Sequence, residues 1–202
     1  MIKLLIFDVG ETLLNYHLSM GKLDVRVLRK LFNVKAKESE IQKIIDNLDL
    51  KYANSYNLKT TFSELISKAI LNRYGISTSK YKGFLKEVNK MLDYKEIKPY
   101  PDVLPVIKKL KKKYCIATLA NVHEKGFHKK LLAKTEVGKH FHLNLDSDLV
   151  GIRKPSIKIF KMILNHFKIK PTETVMIGDS PTADIFGAKR LGIHTILLNR
   201  RN

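Results

Sequence analysis

The chain opens on Lys3-Leu4-Leu5-Ile6-Phe7, a run that stops at Asp8-Val9-Gly10-Glu11-Thr12. A segment apolar at every position, rather than at every second one, predicts a strand covered on both faces, as in the middle of a parallel sheet. From about Tyr16 to Lys98 the pattern changes. Leu23, Val27, Leu28 and Leu31 recur at spacings of three and four, as do Ile41, Ile44, Ile45 and Leu48, then Phe62, Leu65, Ile66, Ala69 and Ile70, and then Phe84, Leu85, Val88 and Leu92. Each set makes one apolar stripe on a helix. Asn54-Ser55-Tyr56-Asn57 and Gly75-Ile76-Ser77-Thr78-Ser79 read as turns, and Ser63 is expected to cap the helix that it begins.

Beyond Pro99-Tyr100-Pro101 strands and helices alternate. The pattern predicts a helix through Val103, Leu104, Ile107 and Leu110, a strand from Tyr114 to Leu119, a helix near Lys125 to Leu132 and a short strand from His142 to Leu145. A helix from Ser156 to Phe167, a strand from Thr174 to Ile177, a helix from Ala183 to Leu191 and a strand from His194 to Leu198 complete it. Such alternation builds βαβ units. The expected fold is α/β: a Rossmann-like parallel sheet core, residues 1–15 and 98–202, with an inserted all-helical cap domain, residues 16–97.

Composition narrows the class. The 202 residues are 44% hydrophobic and 28% charged, which excludes a disordered chain. One cysteine, Cys115, forms no internal disulfide and points to a reducing, cytoplasmic setting, with the thiol a buried strand residue. No apolar run reaches membrane-spanning length, and the N-terminus lacks a signal-peptide layout, so neither membrane insertion nor secretion is expected. The 38 Lys and Arg against 19 Asp and Glu give a net charge of +19. By itself this is compatible with nucleic acid, an anionic membrane surface or a phosphorylated substrate.

Ligands of an open parallel sheet bind beyond the carboxyl ends of its strands. There the sequence places Asp8, Ala120-Asn121 and Gly178-Asp179-Ser180-Pro181-Thr182-Ala183-Asp184, while Val150-Gly151-Ile152-Arg153-Lys154-Pro155 presents a lysine just before a helix. Carboxylates beside one lysine suit a hard cation together with a phosphate-like anion, and an aspartate at a strand tip is a feasible covalent nucleophile.

These pieces, with Leu5 to Leu13 and the continuation Ile185-Phe186-Gly187-Ala188, resemble the haloacid dehalogenase superfamily over essentially the whole chain. Most members are phosphatases. The resemblance implies that Asp8 is the nucleophile, phosphorylated to an aspartyl phosphate. Asp8, Asp179 and the Gly10 carbonyl would hold Mg²⁺ with Asp184 supporting them, and Lys154 would orient Asp8. Glu11 and Thr12 would wrap the phosphoryl oxygens with backbone N–H groups, Asn121 would lie against the substrate, and the cap would read the leaving group.

Two positions depart from that pattern. The residue two beyond the nucleophile is usually a second Asp that protonates the leaving oxygen, and here it is Gly10; loss of such a group commonly removes roughly 10²- to 10⁴-fold in rate. Glu11 is one residue out of place for that work. The Ser or Thr normally preceding Asn121 is Ala120, with Thr118 two residues earlier on the same strand face. Both departures bring in the metal-independent 2-haloacid dehalogenases, which Asn121 fits, but those enzymes generally lack the aspartate that Asp179 provides. A weakly active or purely ligand-binding member, and a basic nucleic-acid-binding protein, are the further alternatives.

Other features read as structural. His123, His128, His140 and His142 lack the paired spacing of zinc ligands. Of the cap aromatics Tyr52, Tyr56, Phe62, Tyr74 and Tyr81, one or two are expected at the pocket. Lys108 to Lys113 flank one apolar stripe and form a solvated face. The net charge is −1 over residues 1–16 and +1 over 171–202, so the excess lies away from the carboxylates. It favours a small anionic substrate over nucleic acid.

Overall fold

The structure, a computed structural model, describes residues 1–16, 19–54, 60–91, 97–122 and 127–200. Residues 55–57 of one expected turn, with Tyr56, and also Leu92, His123 and the expected helix start at Lys125 lie outside these.

Five strands form one parallel sheet: β1 Leu4–Phe7, β4 Cys115–Ala120, β5 Leu143–Asp146, β6 Thr174–Gly178 and β7 His194–Leu197, in the order β5-β4-β1-β6-β7. Strand β1 is central, as its apolar run predicts. Its alternate side chains enter two cores. Leu4 and Ile6 pack with Ile159, Phe160 and Ile163 of α8 (Ile157–Phe167). Leu5 and Phe7 join Val103 and Ile107 of α5 (Val103–Leu110) in a cluster continuous with the helices inserted after β1. This two-sided burial is why the strand needs no polar face.

The inserted helices are α1 Met20–Phe32, α2 Glu38–Lys51, α3 Phe62–Arg73 and α4 Tyr81–Met91. Their stripes meet through buried Leu23, Val27, Ile41, Phe62, Ile70 and Phe84. The cap of α3 corrects the sequence reading: Thr61, not Ser63, accepts the Glu64 N–H at 3.2 Å, and Ser63 lies inside the first turn. A two-residue antiparallel ribbon, β2 Leu14–Asn15 with β3 Lys98–Pro99, ties the two chain crossings between sheet and helices. It was not expected, because two residues carry no readable period.

The remaining helices are α6 Phe127–Ala133, α7 Ser147–Val150 and α9 Gly187–Lys189. The helix expected from Ala183 to Leu191 starts earlier, as a π-helical turn Pro181–Phe186 running into α9. Pro181 suits a first helical position, and the Ser180 side chain caps it by accepting the Ala183 N–H at 3.0 Å. Cys115 is half-buried rather than buried. Lys108, Lys109 and Lys111 to Lys113 are exposed. Among the described residues no helix is long and apolar enough to cross a membrane.

Candidate active site

Strand β1 delivers Asp8 to the carboxyl edge of the sheet, and the Asp8 N–H continues the ladder to the Ile177 carbonyl at 2.8 Å. Strand β6 delivers Asp179 beside it, and the turn after β6 brings Asp184 back toward both. Asp8, Asp179 and Asp184 each offer an oxygen, and these oxygens all lie within 4.8 Å of one another. This is the one candidate metal group among the described residues. Asp184 is fixed by the Ser180 N–H, which donates to its Oδ2 at 3.0 Å. Gly178 makes room for it, because a Cβ there would overlap the Asp184 carboxylate.

Lys154 is buried between the carboxylates. Its Nζ lies 2.6 Å from Asp8 Oδ1, 2.7 Å from Asp184 Oδ1 and 2.8 Å from the Leu119 carbonyl. Burial alone would lower the ammonium's pKa, but Asp184 and Asp8 hold it well above the ordinary lysine value. Burial followed by the charges of Asp8 and Asp184 pushes the Asp179 carboxyl up to about 8. Asp184 rises to about 6 through burial, against the pull of Lys154. Three crowded carboxylates facing one ammonium leave excess negative charge, which oxygen ligands ordinarily share with a hard divalent cation. The donor set therefore fits Mg²⁺.

Asn121 orients the lysine. Its Oδ1 accepts the Lys154 N–H at 2.8 Å and its Nδ2 donates to the Lys154 carbonyl at 2.9 Å, so both ends of the amide hold the lysine's backbone. Glu11 and Gly10 line the cavity, whereas Thr12 does not. The Glu11 N–H donates to the Leu14 carbonyl at 2.8 Å, and its carboxylate accepts the Tyr100 hydroxyl at 2.9 Å. These partners engage the Glu11 N–H, one of the groups expected to wrap a phosphate, and the Glu11 carboxylate that stands one residue from the missing acid. The Thr12 Oγ1 is buried and has no hydrogen-bond partner among the described residues. Thr118 does not make good Ala120, because its hydroxyl donates to Asn144 Oδ1 at 2.8 Å, away from the cavity.

The cavity measures about 250 Å³. Its floor is the Asp8, Lys154, Asp179 and Asp184 cluster. Helix α2 contributes Gln42, Ile45, Asp46 and Asp49, with Met20, Ser63 and Asn89 from the other inserted helices. None of Tyr52, Phe62, Tyr74 and Tyr81 lines it; the aromatic residues that do are Tyr16 and Phe127, with His128 beside them. For these four cap aromatics the expectation of a pocket position is corrected, since they pack into the core cluster instead, while Tyr56 lies outside the described residues. The sequence reading takes Tyr16 only as the start of the inserted segment and His128 as structural, although a glycine two residues past Asp8 is a signal that some other side chain occupies that space. Burial, then the charges of Asp8, Glu11, Asp146 and Asp179, holds the Tyr16 phenol well above its ordinary pKa. Burial lowers His128 to about 4, so its ring is neutral at pH 7.

A family model described as haloacid dehalogenase-like hydrolase matches residues 5–198. The chain belongs to that family. This haloacid dehalogenase-like hydrolase is 28% identical over 213 residues to a glyceraldehyde 3-phosphate phosphatase of Methanothermobacter thermautotrophicus, covering 98% of this chain and 86% of that protein. It is 26% identical over 203 residues to an (S)-2-haloacid dehalogenase 4A of Burkholderia cepacia, covering 97% and 82%. A stronger but shorter match, 40% over 65 residues to glyceraldehyde 3-phosphate phosphatase of Pyrococcus furiosus, covers 32% of this chain and only 27% of that protein's length. The same fold occurs in a predicted phosphoglycolate phosphatase of Haemophilus somnus, with a TM-score of 0.71 and 19% identity over 98% of this chain and 85% of that one.

Proposed function

We propose that this hydrolase is a Mg²⁺-dependent phosphatase of a small phosphorylated metabolite, working through an aspartyl phosphate on Asp8. The observation that carries the reading is the convergence of Asp8, Asp179 and Asp184 within 4.8 Å, with the Lys154 ammonium between Asp8 and Asp184. Asp8, Asp179 and Asp184, with the Gly10 carbonyl, are the residues that would hold the ion. When bound, the ion supplies positive charge against the phosphoryl oxygens.

In this reading residues 16–97 are a cap that closes the site over the leaving group, and residues 1–15 and 98–202 are the catalytic core. The Asp8 carboxylate attacks phosphorus. Lys154 keeps that carboxylate aimed through its 2.6 Å contact with Oδ1, and Asn121 keeps the lysine's backbone in place. Water then hydrolyses the aspartyl phosphate and returns Asp8 to its starting state. A reducing compartment suits the free thiol of Cys115.

The test is hydrolysis of p-nitrophenyl phosphate by the purified protein with Mg²⁺. The expected result is turnover lost both in EDTA and in Asp8→Asn. No turnover, or turnover indifferent to either change, overturns the reading. Gly10, which carries no acid, together with the kinship to a 2-haloacid dehalogenase, supports one second reading. It requires chloride release from 2-chloropropionate without metal, and absence of release at high protein concentration ends it.

A further inference from the structure

The turn after β1 leaves a space at Gly10, and Tyr16 fills it. A Cβ at residue 10 would lie 2.5 Å from Tyr16 Cε2 and 3.4 Å from both its Cζ and its hydroxyl oxygen. The hydroxyl therefore stands about where a short polar side chain from residue 10 would end. The ring packs against Phe127, with centroids 6.4 Å apart, and against His128, near-parallel at 6.5 Å and 12°, and those two rings adjoin each other at 5.3 Å. The hydroxyl lies 2.7 Å from His128 Nε2, and His128 is itself buried. Its Nδ1 is 4.0 Å from Asp146 Oδ1, beyond hydrogen-bond reach, so that carboxylate does not pin the tautomer. With the proton on Nε2, His128 donates to the phenol oxygen and leaves the Tyr16 hydrogen free to turn into the cavity, which both side chains line.

A phosphate ester cleaved above Asp8 develops negative charge on its leaving oxygen, and a preplaced neutral donor lowers that barrier. The floor of the site has few donors to give. The ammonium of Lys154 already serves two carboxylates and a carbonyl, and the Asn121 amide holds the lysine's backbone. Asp8 accepts from Lys154, and Asp184 accepts from the Ser180 N–H. Tyr16 is the phenol set against the turn that follows the nucleophile.

We propose that Tyr16 is a catalytic residue whose hydroxyl hydrogen-bonds the leaving-group oxygen, with His128 as the positioning residue that aims it. The proposal rests on the phosphatase reading. As the Asp8 oxygen bonds to phosphorus, the bond from phosphorus to the leaving oxygen breaks and its electron pair stays on that oxygen. The departing oxygen carries the Tyr16 hydrogen bond and takes its proton from a water, whose hydroxide is consumed when the aspartyl phosphate is hydrolysed, so the phenol is unchanged at the end of the step.

The experiment compares an alkyl ester, glycerol phosphate, which needs this help, with p-nitrophenyl phosphate, whose leaving group is already stable. In Tyr16→Phe, kcat/KM for the alkyl ester is expected to fall roughly 10- to 100-fold while the aryl ester changes by about threefold or less. His128→Gln, which keeps a hydrogen-bonding side chain, is expected to show a smaller loss of the same selectivity, whereas Ser180→Ala is expected to lower both esters equally or neither. Should Tyr16→Phe not fold, His128→Gln reaches the same hydroxyl by a separate route and must itself show the alkyl-selective loss. Parallel loss for both esters, or no loss, overturns the assignment of Tyr16 while leaving the phosphatase reading standing. A wild-type protein that hydrolyses neither ester with Mg²⁺ overturns both.

Discussion

Arg153 and Asp49 join the loop that carries the site lysine to the second inserted helix. The Arg153 Nε donates to Asp49 Oδ1 at 2.9 Å and its Nη2 lies 2.8 Å from the same oxygen, while the guanidinium sits 3.4 Å from the centre of the Phe62 ring. Its Nη1 donates to the Val122 carbonyl at 2.8 Å. The side chain is wholly buried, so the sheet and the helices share one charge pair next to Lys154. Removing one partner of a buried pair leaves the other uncompensated, at about 3–5 kcal/mol. Arg153→Met is accordingly expected to lower the melting temperature by about 6–20 °C for a chain of this size. The double variant with Asp49→Leu should recover part of that loss. Calorimetry decides it: additive losses would mean that the pair is not coupled.

Gly178 and Asp184 make a second prediction. Because a Cβ at 178 overlaps the Asp184 carboxylate, Gly178→Ala must push that group off Lys154. Overpacking of this kind costs about 1–3 kcal/mol, and a disturbed lysine should lower turnover well beyond what the stability change explains. Gly83 in α4 is the control, since a Cβ there meets nothing within 4 Å. Gly83→Ala should stabilise by about 0.5–1 kcal/mol with turnover unchanged. Urea melts and initial rates on both variants separate the cases, and equal behaviour would refute the overlap argument.

The parts readable in the sequence were those with a local cause. The β1 run and the three-and-four stripes of α1 to α4 reflect burial on two faces or one, and Asp8, Asp179 and Lys154 follow from where strands end. Tyr16 reaches Gly10 only because the chain reverses through Glu11, at φ 54°, into the bridge between Gly10 and Leu14. His128 lies 112 residues further on. Arg153 stood beside Lys154 in the sequence, but its partner Asp49 is 104 residues away on a helix face that shows nothing beyond an ordinary charge. Pairings across such distances leave no periodic trace in one chain.

Cation binding should be visible without turnover. The raised carboxyls of Asp179, at about 8, and Asp184, at about 6, hold protons that an incoming cation must displace. Mg²⁺ should therefore raise the melting temperature more at pH 8.5 than at pH 5.5, by mass action on the folded state. Asp179→Asn should abolish the increment. An equal shift at both pH values, or one that survives in Asp179→Asn, would place the ion elsewhere.

Asp24 predicts a pH dependence unrelated to the site. It is a buried residue of α1 at 4% exposure, and burial pushes its carboxyl from 3.8 up to about 8. The folded state thus binds the Asp24 proton more tightly than the unfolded state does. Its contribution is fully present below about pH 4 and is lost as pH rises toward 8, with a slope approaching about 1.4 kcal/mol per pH unit inside that window. Asp24→Asn keeps the shape without the ionisation, so wild type minus variant isolates this group from the titrations of Asp179 and Asp184. Urea melts at pH 5.5 and 8.5 should show the variant gaining on the wild type as pH rises. A difference that does not change with pH would mean that Asp24 is solvated in the folded state.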